Sequence, residues 1–132
     1  HIRNSKEFQQ KFGAEIQINT NDERSSVLIS DHNFNHGDMI AGFLEAVVIP
    51  DNKSPGETAL FWADRKILFL GDALIGKPKG AVTLLPEEKY DDIQKTKTGI
   101  SILQNLDFKH LLLGDGDSIL HNGKEIVSHY FH

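Results

Sequence analysis

The sequence contains no cysteine, a single tryptophan and no long apolar run. Without cysteine the chain can form neither a disulfide nor a thiolate metal site, so any metal would have to be bound by His, Asp or Glu. The apolar run at residues 66–70 is far too short to cross a bilayer. No cleavable signal pattern opens the chain. These absences predict a cytoplasmic protein without a membrane partner.

A surplus of positive charge is also missing. Fourteen Lys and Arg residues stand against nineteen Asp and Glu residues, which gives a net charge of −5. Nucleic acids and anionic membranes require a basic surface, so we expect neither as a partner. The expected partner is a small-molecule substrate. A length of 132 residues fits one domain over residues 1–132.

The first residues, His1-Ile2-Arg3, include no initiator methionine, and a helical pattern follows at once. Asn4 and Glu7 have the spacing of a capping box, and Gly13 supplies a stop, which predicts a helix over residues 5–12. We therefore expect that a segment of the native protein precedes His1.

The rest of the chain predicts a β-meander followed by helix, strand and helix. The apolar run at residues 66–70 does not alternate, which predicts a strand buried on both faces. Pro86 opens a long helical pattern, and Asn122 with Glu125 repeats the capping-box spacing before the last helix. Strands are expected at residues 43–49, 59–63, 66–70 and 111–113. Buried strands need helices as cover, so the fold class is α/β or α+β.

Three loops combine glycine with a carboxylate after an apolar strand. They are residues 50–57, Gly71-Asp72 and residues 114–117. Loops that leave the same end of a sheet often form a site, so we expect the three to converge. A metal ion or Lys53 would then offset the repulsion between the aspartates. Each Gly-Asp pair is also ordinary turn chemistry, because Asp caps its own backbone and Gly adopts positive φ.

The order of these motifs resembles the second half of the metallo-β-lactamase superfamily. Residues 50–56 read PDNKSPG, where that family has a motif similar to Pro-Gly-His-Thr-Pro-Gly. A hairpin, Gly71-Asp72, a long helix and residues 113–116 (LGDG) follow in the family's order. The resemblance implies an αβ/βα sandwich, here mainly its second half without the N-terminal sheet. It also implies hydrolysis at one or two metal ions, commonly zinc.

The departures from the family pattern concern the metal ligands. Lys53 stands where a metal-binding histidine belongs, and a protonated lysine has no lone pair to donate. Asp72 falls on the family's bridging aspartate. Asp115 replaces the last metal-binding histidine, and its oxygen ligands favour harder cations. The family's upstream His-x-His-x-Asp-His motif is missing, although His1 could be its final histidine.

The resemblance implies two roles for these residues. Asp72 would be a metal ligand and proton acceptor, with Lys53 as the oxyanion stabiliser. A single divalent ion would be bound by His1, Asp72 and Asp115, with His121 as a reserve ligand. Zinc is the first choice, followed by iron, manganese or magnesium. Lys53 could stand in for one metal of the family's pair through an ion pair with Asp72 or Asp115. The alternative is a centre without any metal.

Two functions from different classes, and one structural role, therefore stay open at this point. The first function is a hydrolase-like protein with an altered metal site that acts on an ester, amide, thioester or phosphodiester. The second is a non-catalytic member of the fold that serves as a binding or scaffold module. A site with two aspartates could also hold magnesium or calcium for structure alone. A homo-oligomer is expected as well, because a fold without one of its sheets exposes apolar surface.

Overall fold

The computed structural model describes residues 4–23 and 29–132. The elements in chain order are α1 (Ser5–Phe12), β1 (Gln17–Asn19), α2 (Thr20–Glu23), β2 (His32–Phe34), β3 (Met39–Ile40), β4 (Leu44–Val48), β5 (Thr58–Trp62), β6 (Ile67–Leu70), α3 (Ile93–Ser101), β7 (His110–Leu113) and α4 (Gly123–Phe131). The mixture of helices and sheets confirms the predicted fold class. No helix in these ranges is both long and apolar enough to span a membrane.

The strands form two sheets. β1 and β2 pair in parallel, and the larger sheet has the order β3-β4-β5-β6-β7. Its first four strands are antiparallel neighbours, whereas β7 runs parallel to β6. The predicted meander is thus confirmed. A parallel neighbour requires a crossover, and α3 supplies it between β6 and β7.

The core lies between the larger sheet and the helices α3 and α4. Leu68 of β6 and Leu111 of β7 are fully buried there, together with Ile100 of α3 and Val127 of α4. The prediction that residues 66–70 are buried on both faces is wrong. Leu68 and Leu70 are buried, but Ile67 and Phe69 stay partly exposed, because the helices of this core cover one face of the sheet.

The long helix predicted from Pro86 begins later than its pattern suggested. Pro86 precedes a short 3-10 turn, Glu87–Lys89, and α3 starts only after Asp92. The Asp92 carboxylate accepts hydrogen bonds from the backbone N–H groups of Gln94 and Lys95, at 3.0 and 3.1 Å. A carboxylate that satisfies two free N–H groups is a strong N-cap, and it fixes the start of the helix.

The two predicted capping boxes are not formed. α1 has the predicted bounds and ends at Gly13 in a left-handed conformation, yet Asn4 makes no side-chain cap hydrogen bond. Asn122 likewise caps nothing with its side chain, since its backbone is left-handed (φ 57°). An N-cap side chain reaches the first turn only when its own backbone is extended. Neither Asn4 nor Asn122 has that backbone, so the three-residue spacing to a glutamate was not enough to form a capping box.

Candidate functional site

The three carboxylate-bearing loops meet at one end of the larger sheet. β5 pairs antiparallel with β6, so the loop before β5 lies beside the end of β6. β7 pairs parallel with β6, so its end lies there too. A Cβ atom added to Gly71 would lie 3.2 Å from Glu57 Oε1, and one added to Gly114 would lie 3.5 Å from Gly71 Cα. The predicted convergence of the loops is therefore confirmed.

Close backbone contacts hold the last loop against the segment that follows β6. Gly76 N donates to Asp115 O, and Asp117 N donates to Gly76 O, both at 2.9 Å. A Cβ atom on Gly76 would lie 2.0 Å from Asp117 O. Only glycine permits this approach, which fixes the backbone on both sides of the Asp115 side chain.

Glu57 and Asp72 form a carboxylate pair at the meeting point of the loops. Burial raises the pKa of Glu57 above its usual range, and the negative charge of Asp72 raises it further. A weak hydrogen bond from Ser54 Oγ (3.5 Å) and the positive charge of Lys53 act in the opposite direction. A carboxyl group whose pKa is raised by burial and by a neighbouring carboxylate is typical of a functional site.

A third carboxylate, that of Asp22, approaches the Glu57–Asp72 pair from the segment between the two strands of the smaller sheet. Asp22 lies in α2, and its Oδ1 accepts a hydrogen bond from Gly56 N at 2.8 Å. Its charge also contributes to the raised pKa of Glu57. Nearby, Asn19 Nδ2 donates to Thr58 Oγ1 at 3.3 Å. The segment before β2 thus forms one wall of the site.

Sequence reasoning missed Glu57 and Asp22 as site residues. Glu57 was the last residue of a loop whose metal ligands the resemblance placed elsewhere. Asp22 lay in a segment with no clear pattern. The available signal was position alone, because Glu57 directly precedes β5 at the end of the sheet where Asp72 follows β6.

Lys53 and Asp115, both expected near a metal, lie close to other charges. The side chain of Lys53 is exposed, and its positive charge acts on Glu57. Asp115 Oδ1 forms an ion pair with Lys77 Nζ at 3.2 Å. The partner of Asp115 is therefore Lys77, a lysine that the sequence analysis did not single out.

The side chains of residues 4–23 and 29–132 do not by themselves fit a metal centre. Within these ranges no group of three or more His, Asp or Glu residues could hold an ion. His1 lies outside the described residues. His121, the reserve ligand, stacks edge-on against His110 with 6.3 Å between ring centroids. Lys77 also competes with any cation for Asp115.

Tyr90 borders the carboxylate pair. Burial raises its pKa, and the charges of Glu57 and Asp72 contribute in the same direction. Its hydroxyl oxygen accepts a hydrogen bond from Leu85 N at 3.0 Å. The sequence pattern placed Tyr90 on a helix, but it lies in the extended segment between the 3-10 turn and α3.

The sequence profile described as "Metallo-beta-lactamase superfamily" matches residues 1–131. The chain belongs to the metallo-beta-lactamase superfamily. No curated protein sequence matches it significantly.

Solved structures support the same fold. The BLEG-1 B3 metallo-beta-lactamase superposes with a TM-score of 0.73 at 16% identity, over 95% of this chain and 68% of that one. A metallo-beta-lactamase from Pontibacter korlensis gives 0.71 at 17% identity, over 96% of this chain and 60% of its own. The protein TTHA1623 in a di-iron-bound form gives 0.70 at 17% identity, over 95% and 68%. The chain thus spans about two thirds of these structures, and at such identities the likeness shows the fold alone.

Proposed function

We propose that this chain is a hydrolase-like member of the superfamily whose site has shifted from histidine ligands towards carboxylates and lysines. The observation that carries the proposal is the raised pKa of Glu57 beside Asp72. A carboxyl group whose pKa moves towards neutrality is suited to exchange protons at physiological pH. A fold that serves only as a scaffold has no need of two half-buried carboxylates whose like charges interact.

The chemistry of these side chains fits hydrolysis of an ester, amide, thioester or phosphodiester. The Glu57–Asp72 pair would accept the proton of an attacking water, as a general base does. Lys53, with its exposed ammonium group beside Glu57, would stabilise the oxyanion that develops on the substrate. Both roles use groups that the loops bring to one end of the sheet.

A single divalent ion at His1, Asp72 and Asp115 remains part of the proposal, with zinc first and iron, manganese or magnesium next. The ion would compete with Lys77 for Asp115, because the Lys77 ammonium group lies 3.2 Å from Asp115 Oδ1. Lys77→Ala is therefore expected to increase the metal bound per chain. Unchanged metal content would argue against Asp115 as a ligand.

The Lys77–Asp115 ion pair also favours the alternative function, a non-catalytic binding module. Here lysines replace the positive charge of the metals, and the site binds a ligand without hydrolysing it. The Lys77 ammonium group neutralises Asp115, one of the converging carboxylates, so no metal cation is needed to offset their repulsion. Small-molecule binding, without nucleic acid or membrane, stays our proposal in either case.

Hydrolysis by the full chain, measured together with its metal content, tests these functions. We expect Glu57→Gln and Asp72→Asn to lower kcat about 100-fold or more, since general acid–base groups contribute about 10²–10⁴. Asp64→Asn is the matched control, because Asp64 is exposed in the β5–β6 turn at the opposite end of the sheet.

Three outcomes separate the alternatives. Activity that falls in the two site variants and survives a chelator supports the carboxylate site. Activity that follows bound metal supports the single-ion centre. An absence of turnover across all four substrate classes, with folded protein, would leave the binding module.

Self-association and a cytoplasmic location stay predictions. Large apolar side chains are exposed on several elements, among them Phe8 and Phe12 of α1 and Met39 of β3. Light scattering on the full chain decides the question of self-association. A monomer at micromolar concentration would contradict it.

A further inference from the structure

A second feature of the molecule is a cavity of about 710 Å³ between the loop after β4 and the start of α3. Val48 and Pro50 supply apolar wall, and Tyr90 and Thr96 close the opposite side. A volume of this size is typical of small-molecule sites. Tyr90 and Lys53 border both this cavity and the carboxylate pair, so the two features are neighbours.

The cavity has a surplus of unused hydrogen-bond donors. Asn52 Nδ2 is buried and has no acceptor within the described part of the chain. The other end of that amide is engaged, because Asn52 Oδ1 accepts from Lys53 N at 2.8 Å. A buried donor without a partner is costly, which points to an acceptor supplied by a ligand or by water.

Three ammonium groups surround the same cavity. Lys53, Lys89 and Lys95 line it, and none of the ion pairs formed between residues of the ranges 4–23 and 29–132 involves them. All three side chains are exposed and can reach a ligand from the rim. They provide charge-assisted hydrogen bonds, which are stronger than those between neutral groups.

The cavity lining also carries three aspartates, so the choice of an anion rests on the placement of the donors and not on net charge. Asp92 is occupied as the N-cap of α3 through two backbone N–H groups. Asp51 and Asp91 are exposed at the rim. Asn52 itself lines the cavity, so its unpartnered amide favours an acceptor bound there.

We infer that this cavity binds a small organic anion whose carboxylate or phosphate oxygens accept hydrogen bonds from Asn52 Nδ2 and from the three lysines. The binding itself is independent of hydrolysis. Its role as the place where a substrate's anionic end is held rests on the proposed function, since Lys53 would then contact both the anion and the reacting group.

The test is a calorimetric titration of the full chain with succinate and, separately, with inorganic phosphate. We expect saturable binding of at least one. Succinate alone identifies a carboxylate site and phosphate alone a phosphate site. If neither binds, or if tetramethylammonium binds in their place, the inference is wrong.

Variants locate the site. Lys89→Gln combined with Lys95→Gln should weaken binding about tenfold or more, because each lost charge-assisted hydrogen bond reduces affinity several-fold. Asn52→Asp keeps the shape of the side chain but replaces the donor with a carboxylate, and it should abolish binding. Lys97→Gln, on the same helix outside the cavity, is the matched control.

These variants keep the inference testable even if one of them fails to fold. The double lysine variant changes exposed side chains only, so it serves when Asn52→Asp unfolds. Equal affinity in the double variant and in Lys97→Gln would overturn the assignment. Lost binding with retained hydrolysis of neutral esters would separate the anion site from the proposed catalytic pair.

Discussion

Gly99 of α3 is the position where a single methyl group should disturb the loop that carries Lys53. The helix packs so closely on the loop after β4 that a Cβ atom at Gly99 would lie 2.1 Å from Pro50 O and 3.0 Å from Pro50 C. Both partners are backbone, so neither can rotate away. In Gly99→Ala, α3 and the loop must separate by about 1 Å to reach the closest contacts that real Cβ atoms make, near 3.0 Å.

The magnitude follows from three terms. Overpacking in a well-packed contact costs about 1–3 kcal/mol. The separation also strains the hydrogen bond from Thr96 Oγ1 to Asp51 O, now 2.7 Å long, and its loss costs about 1 kcal/mol. Alanine regains about 1 kcal/mol over glycine through helix propensity. We therefore expect Gly99→Ala to lower the free energy of unfolding by about 1–3 kcal/mol.

Urea denaturation followed by circular dichroism measures this change, with Gln94→Ala as the control. Gln94 is exposed on the same helix, so its substitution should change stability by no more than about 0.5 kcal/mol. Gly99→Ala should also weaken anion binding, because the cavity lies between the same two segments. A Gly99→Ala protein as stable as the wild type would refute the reasoning.

Three further outcomes are expected. Burial in the folded state raises the pKa of Glu57 above its usual 4.5. The free energy of unfolding should therefore fall as pH rises from 4.5 through the folded pKa. Denaturation of Glu57→Gln at a series of pH values should not show this fall. Leu68→Ala, at a fully buried position, should cost about 2–5 kcal/mol in the same assay; a smaller loss would contradict the close packing of the core. The Lys66 ammonium group, 2.8 Å from Asp107, lowers the pKa of the Asp107 carboxyl below its usual 3.8. NMR titration should show a higher Asp107 pKa in Lys66→Gln, and a smaller increase in Lys124→Gln.

Local patterns predicted those elements whose signals are short-range. The bounds of α1 follow from Gly13, and the β5–β6 hairpin follows from two apolar runs around a tight connection. The start of α3 was missed because apolar spacing continues backwards to Pro86, while the cap that sets it is the carboxylate of Asp92. The capping boxes failed because the residue spacing does not determine the backbone angles at Asn4 and Asn122.

By itself, the sequence determined the fold class, the family resemblance and the meeting of three loops. Each depends on the order of strands, helices and loop motifs along the chain, which a linear pattern records. Only the tertiary structure decided which charges face each other. Glu57 meets Asp72, whereas Asp115 meets Lys77, because β-sheet register and the glycine contacts between loops set distances that no spacing along the chain encodes.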